Sequence, residues 1–278
     1  MSAIDGDVPS TAAAPTAKPS VLTAMKATWL TRVRSYLSGP SALVFNTLVY
    51  LSVVAALSGL WKVAVEAAGG EMVGYGPLAI VWYITATEVA IMATPPRVIE
   101  DESNLILDGS VETDLLRPID LFAVHVANWI GESSPRFLAC FLAGLIWAFW
   151  FVGAPSSLAP LMAAGVSLVL AIVINIVAQV ALAAATFWVR DTKGLWFLYQ
   201  KLVFVVGGML LPLEVLPSAV EQAARLLPFM AMAYAPGRLA AGFWEPELLV
   251  IQLVWLTVLI TAGMTAYRRG IDRLRRQP

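Results

Sequence analysis

Residues 158–188 read LAPLMAAGVSLVLAIVINIVAQVALAAATFW, an uninterrupted apolar run without a single charge. A helix that crosses a bilayer needs about 20 predominantly apolar residues. At 1.5 Å per residue this run is about 46 Å long. That exceeds a hydrocarbon core of roughly 30 Å, so the helix is expected to tilt or to protrude into the cytoplasm. A segment of this kind places the chain in a membrane. Composition agrees: 59% of the 278 residues are hydrophobic and 13% charged, against about half and a quarter in soluble domains. One globule of this size cannot bury so much apolar surface.

Working outward, five more segments pass the same length test. They are 42–61, 75–94, 136–154, 195–212 and 247–267, giving an all-α protein of six spans. Lys and Arg alternate in abundance across the flanks. Fourteen fall on one side, from Lys18 to Arg276, and only Lys62, Arg225 and Arg238 on the other. The positive-inside rule then puts both termini in the cytoplasm, in a membrane of the bacterial cytoplasmic (inner) type. Residues 1–20 are rich in Ala, Pro, Ser and Thr and read as a disordered cytoplasmic tail. They lack the basic start and apolar core of a signal peptide. Residues 271–278 form a basic tail, and 21–270 form one transmembrane domain.

Two segments outside the spans carry structure of their own. In 21–38, Leu22, Met25, Trp29, Val33 and Tyr36 recur at spacings of 3 and 4, one face of a helix. Such a helix either lies on the inner leaflet or serves as a simple lead-in. In 212–246, five prolines cut an apolar stretch into pieces too short to span. Broken helices at membrane depth must be buried in protein or line a cavity, so two short re-entrant or interfacial helices are expected on the outer side, with an external loop as the alternative.

The cytoplasmic segment 95–109 begins Thr94-Pro95-Pro96, which suits a helix start. Glu100, Asp101 and Glu102 favour its early turns, and Asp108-Gly109 suits its stop. Val98, Leu105 and Ile106 offer a small apolar face. This predicts a short acidic helix held under the membrane, able to dock into a soluble partner; a solvated loop is the competing reading.

Chemistry is sparse. No G-x-x-x-x-G-K-[ST], H-E-x-x-H or G-x-S-x-G occurs, so nothing supports catalysis in this chain. One Cys (Cys140) and one His (His125) make neither an internal disulfide nor a zinc site. No nucleic-acid partner is expected. Polar groups inside the spans are Asn46, Glu88, Asn175, Gln179, Gln200, Lys201 and Gln252. Each is costly in lipid if unpaired. They either line a pathway or subunit interface, or hold the bundle together by interhelical hydrogen bonds.

The run Gly109, Val111, Leu115, Leu116, Arg117, Pro118 after the second span resembles permeases of the ABC-2 type exporter superfamily, in particular those with two different permease chains and a separate ATPase. TFWVRDTKGLW (186–196) is similar to that family's Phe-Trp segment after span four. GGMLLPLEVLP (207–217), LLPF (226–229) and APGRLAAG (235–242) are similar to its Gly-rich fifth span and outer hairpin. The resemblance covers roughly 21–270. It implies an elbow helix at 21–38, a coupling helix at 95–109 and outer capping helices at 213–243. It implies ATP and Mg bound by a partner ATPase dimer, not by this chain, and a second six-span permease, a paralogue or a copy. Arg97, Arg190, Asp191 and Lys193 join the coupling surface. Met209, Pro212, Glu214 and Phe229 join Glu88, Asn175, Gln179 and Lys201 as pathway or interface residues. Glu214 stands where the family often carries a hydroxyl. Expected cargo is an amphipath such as a drug, an antibiotic or a lipid-like molecule. The alternatives are an ion-coupled transporter using Glu88 and Lys201, and a non-transporting scaffold subunit.

Overall fold

The computed structural model describes residues 20–111, 120–155, 157–189 and 192–276. Among them every regular element is helical. The helices are α1 Val21–Leu37, α2 Pro40–Ala67, α3 Pro77–Met92, α4 Val98–Leu107 and α5 Leu121–Phe151. There follow α6 Leu158–Ala183, continued by a 3-10 turn Ala184–Phe187, then α7 Lys193–Val205. Beyond two further 3-10 turns, Leu213–Val215 and Pro228–Ala231, lie α8 Ser218–Arg225, α9 Tyr234–Ala240 and α10 Glu247–Leu274.

Local sequence accounts for many of the ends. Ser20 caps α1 by accepting from the Thr23 amide at 3.2 Å, and Asp120 caps α5 from the Ala123 amide at 3.0 Å. Prolines 40 and 77 open α2 and α3, where a missing N–H is harmless. Gly109, at φ 72°, follows α4, a conformation that a side chain would oppose.

Among the described residues, four helices are long and apolar enough to cross a membrane: α2, α5, α6 with its 3-10 extension, and α10. They carry exposed apolar side chains along their length, among them Phe45, Leu142, Trp150, Met162 and Leu253. Lipid is the solvent that tolerates such a surface. The protein is therefore a multi-pass membrane protein. The other two expected spans are shorter. α3 has 16 residues and α7 has 13, about 24 and 20 Å of rise.

The expected helix over 195–212 stops at Val205 for a visible reason. Gly208 takes φ 75° and Tyr83 Oη donates to its carbonyl, while the Tyr234 amide donates to Gly207 O at 2.9 Å. The chain leaves the helix because its carbonyls are claimed by α3 and α9. The third expected span, 136–154, is corrected in the other direction. α5 is one helix of 31 residues that runs through Pro135, so the apolar span and the amphipathic stretch before it are continuous.

α3 is the centre. Every residue from Ile80 to Ala90 is buried, and α2, α5, α6 and α9 all pack on it. α9 is buried on nearly all sides. It can approach α3 because Gly237 has no side chain: a Cβ there would lie 2.7 Å from Thr87 Cγ2. Two short helices, α8 and α9, therefore lie within 212–246, and α9 is buried in protein. α1 lies along the first half of α5. Trp29 Nε1 donates to Ser134 Oγ at 3.0 Å, and a Cβ at Gly131 would fall 2.8 Å from Trp29 O. A second apolar cluster, built on Val98, Phe122, Trp129, Val180, Phe187 and Tyr267, joins α4, α5, α6 and α10.

Candidate functional site

α4 presents two unlike faces. Val98, Ile99, Glu102, Ser103 and Ile106 face inward. Arg97, Glu100, Asn104, Leu105, Leu107 and Asp108 face out, with Asp101 between them. Two expectations are corrected here. Ile99 takes the place of Leu105 on the apolar face, and Leu105 is exposed. Glu102 is not a docking group, since it is 1% exposed. Its Oε1 accepts from Trp129 Nε1 at 2.5 Å, and its Oε2 lies 2.5 Å from His125 Nδ1 and 3.3 Å from Tyr267 Oη. One carboxylate therefore ties α4 to α5 and α10. Ser103 Oγ accepts from both Thr186 and Thr192 hydroxyls at 2.9 Å, tying α4 to the end of α6 and the start of α7. A buried charge held by several donors is stable where an unpartnered one is not. The exposed carboxylates behave differently. Partial burial raises the Asp101 carboxyl above its ordinary range, with Arg97 beside it pulling the other way.

Lys193, the first residue of α7, shares a groove with Ile99, Glu100 and Trp196. Leu115, Leu116, Arg117 and Pro118 of the Leu-Leu-Arg-Pro motif lie outside the described residues, as do Arg190 and Asp191.

Above α4 a cavity of about 320 Å³ opens between α2, α3, α5, α6 and α7. Asn175 and Gln179 line it, one turn apart. Gln179 Nε2 donates to Asn175 Oδ1 at 3.0 Å, and Tyr199 Oη donates to the same oxygen at 2.5 Å. Asn46 and Arg136 line it from α2 and α5, joined by a 2.8 Å bond from Nη2 to Oδ1. Arg136 was expected at the flank of a span. The continuity of α5 instead carries it into the helix interior, 9% exposed.

Glu88 and Lys201, the coupling residues of the ion-coupled alternative, do not meet. Glu88 is fully buried on α3, and neither of its oxygens has a hydrogen-bond partner among the described residues. Lys201 is exposed on α7, its ammonium over the rings of Phe197 at 5.2 Å and Phe204 at 6.0 Å. Gln252 is a structural amide: its Nε2 donates to Ser167 O at 3.0 Å and Ala231 O at 2.9 Å.

The 212–246 segment closes on Glu214. Its Oε1 accepts from Tyr234 Oη at 2.5 Å and Arg225 Nη2 at 3.1 Å, with Arg238 Nη1 at 3.8 Å. Burial disfavours charge on Arg225, but Tyr234, Glu221 and Glu214 outweigh it and hold the guanidinium protonated. Arg238 stacks on Phe243, 3.4 Å from the ring centroid, and bonds Glu245 at 3.0 Å. Met209 and Pro212 are buried beneath, and Phe229 meets Tyr199 edge-on at 5.9 Å.

His125, Trp129, Tyr267 and Ser103 were not marked in the sequence. A lone His and Trp at i, i+4 near an acidic helix is only a faint signal. No group of His, Cys, Asp and Glu suited to a metal occurs among the described residues. A family model described as ABC-2 family transporter protein matches residues 49–277. A search of curated proteins found no match to the chain.

Proposed function

Since the chain belongs to the ABC-2 family of transporter proteins, the transmembrane and non-catalytic part of an ABC transporter, we propose that it is the permease subunit of an ATP-driven exporter. On this reading a partner ATPase dimer binds ATP and Mg, and a second permease, a paralogue or a copy, completes the pathway. All six apolar helices cross the cytoplasmic membrane, the two short ones because the bilayer thins or neighbouring helices cover their ends. Both termini are cytoplasmic. α1 is the elbow helix, and α8 and α9 cap the outer side.

The observation that carries this reading is the construction of α4. One face is exposed and acidic, with Leu105 and Leu107 among the acids. The other is fixed to α5, α6, α7 and α10 through Glu102 and Ser103. A helix fastened to four others passes on a push as a rigid displacement, which a loosely attached loop would absorb. ATPase closure against Arg97, Glu100, Asp101, Leu105 and Asp108, with Lys193 alongside, would tilt the bundle. The cavity around Asn175 and Gln179 and the Glu214 cap would then exchange access for an amphipathic cargo. Direction comes from unequal cargo affinity in the two states. The ion-coupled alternative is the weaker reading, because Glu88 and Lys201 would have to act without touching.

The test is co-purification of the chain with an ATPase, then reconstitution of the complex in sealed vesicles. ATP-dependent movement of an amphipathic dye is expected. Transport that follows a proton gradient and ignores ATP would sink the reading.

A further inference from the structure

Among the described residues that line the 320 Å³ cavity, Arg136 is the charged one; the others are apolar side chains, amides and hydroxyls. Among the described residues, the surroundings of Arg136 do not neutralise it. Nη2 is satisfied by Asn46, Nη1 is 3.7 Å from Glu132 Oε1, and Nε is buried without an acceptor. Glu132 is committed elsewhere, since Arg32 binds its Oε2 through Nε at 3.1 Å and through Nη2. Two guanidiniums thus share one carboxylate. A further described neighbour is the Tyr36 ring, 6.0 Å from Arg136 Cζ, a weak partner for a cation. Glu88 is not part of the lining. A buried guanidinium with a free N–H, short of one negative charge and bordering a cavity, is costly as it stands and is relieved by an anion entering from the cavity.

We propose that this cavity binds an amphipath with an anionic head. The sulfate, phosphate or carboxylate of the ligand pairs with Arg136 beside Asn46, and its apolar body lies along Met92, Val203 and Phe204. The volume is at the lower end for small-molecule sites, enough for a head group and the first part of a chain. Two sources share this chemistry: an anionic phospholipid of the inner leaflet, and a cargo with an anionic head. As a statement about cargo, the proposal rests on the exporter reading.

The test uses the full chain in phosphatidylcholine nanodiscs with two probes, dansyl-labelled undecyl sulfate and the matching neutral alcohol. Energy transfer from Trp196, which lines the cavity, reports occupancy once the signal of a Trp196→Phe protein is subtracted. The sulfate is expected to bind about tenfold more tightly than the alcohol. Arg136→Gln is expected to abolish that preference with the alcohol still bound, and Arg136→Lys to retain most of it. Alcohol binding by Arg136→Gln shows that the cavity still forms. Phosphatidylglycerol added to the discs displaces the sulfate if the site takes lipid, and leaves it bound if the site takes cargo. Equal binding of the two probes by the native chain, or a preference that survives Arg136→Gln, overturns the proposal. Loss of the site with ATP-driven export intact leaves the exporter reading standing. A retained preference in a complex that ignores ATP does the reverse.

Discussion

Glu102 and Glu100 are two residues apart on α4 and answer to different physics. Glu102→Ala leaves the Trp129 N–H and Tyr267 O–H without their acceptor, at about 1–3 kcal/mol for each buried unsatisfied group. A clear fall in the thermal midpoint of the detergent-solubilised chain, followed by tryptophan fluorescence, is the expected result; an unchanged midpoint would contradict the role assigned to the cluster. Glu100→Ala touches only exposed surface and should move stability by less than about 0.5 kcal/mol. A second residue-level prediction concerns Gly237. A methyl there would stand 2.7 Å from Thr87 Cγ2 and 2.8 Å from Tyr83 Cε2. Gly237→Ala is therefore expected to cost about 1–3 kcal/mol by overpacking, read in the same melting experiment. Neither effect is visible in the sequence. An acidic triplet looks uniform along the chain, and a glycine in a proline-rich stretch looks like a turn residue.

At the scale of elements, α4 and α7 make separate predictions. Reversing the outer charges of α4 with Glu100→Lys and Asp108→Lys leaves its inward bonds intact. The expected outcome is weaker capture of the ATPase at an unchanged melting temperature; full ATPase binding would remove α4 from the coupling surface. α7 ends where Gly208 turns at φ 75°. Gly208→Val would place a Cβ 3.0 Å from Tyr83 Oη in a backbone region that side chains resist, at about 1–2 kcal/mol or more. α5 shows why element boundaries are hard to read locally. Pro135 with Glu132 and Arg136 around it looks like the polar edge of a span. The helix continues because α1 brings Arg32 to Glu132 and α2 brings Asn46 to Arg136. Neighbours about a hundred residues away supply Glu132 with a guanidinium and Arg136 with one neutral acceptor, which is enough for the helix to run on.

For the whole molecule, the 212–246 segment is stapled across itself through Glu214. Glu214→Gln and Arg225→Ala, alone and together, form a cycle whose coupling is expected at about 0.5–3 kcal/mol. Purely additive losses would show that the segment is held by packing alone. Much of the architecture was legible from 158–188 and segments like it. A bilayer demands long apolar helices, and that demand is written locally in hydropathy, in prolines at helix starts and in the acidic start of α4. The membrane class, the helical fold and the approximate place of nearly every helix follow from the chain alone. The short reach of α7, the length of α5, the inward turn of Glu102, the separation of Glu88 from Lys201 and the burial of Arg136 do not. Each depends on a partner far away in sequence, as Tyr267 is from Glu102 or Gly208 from Tyr83. Local periodicity says which face of a helix is apolar; only packing says which polar group finds a partner there, and which, like the Arg136 Nε–H, is buried without one.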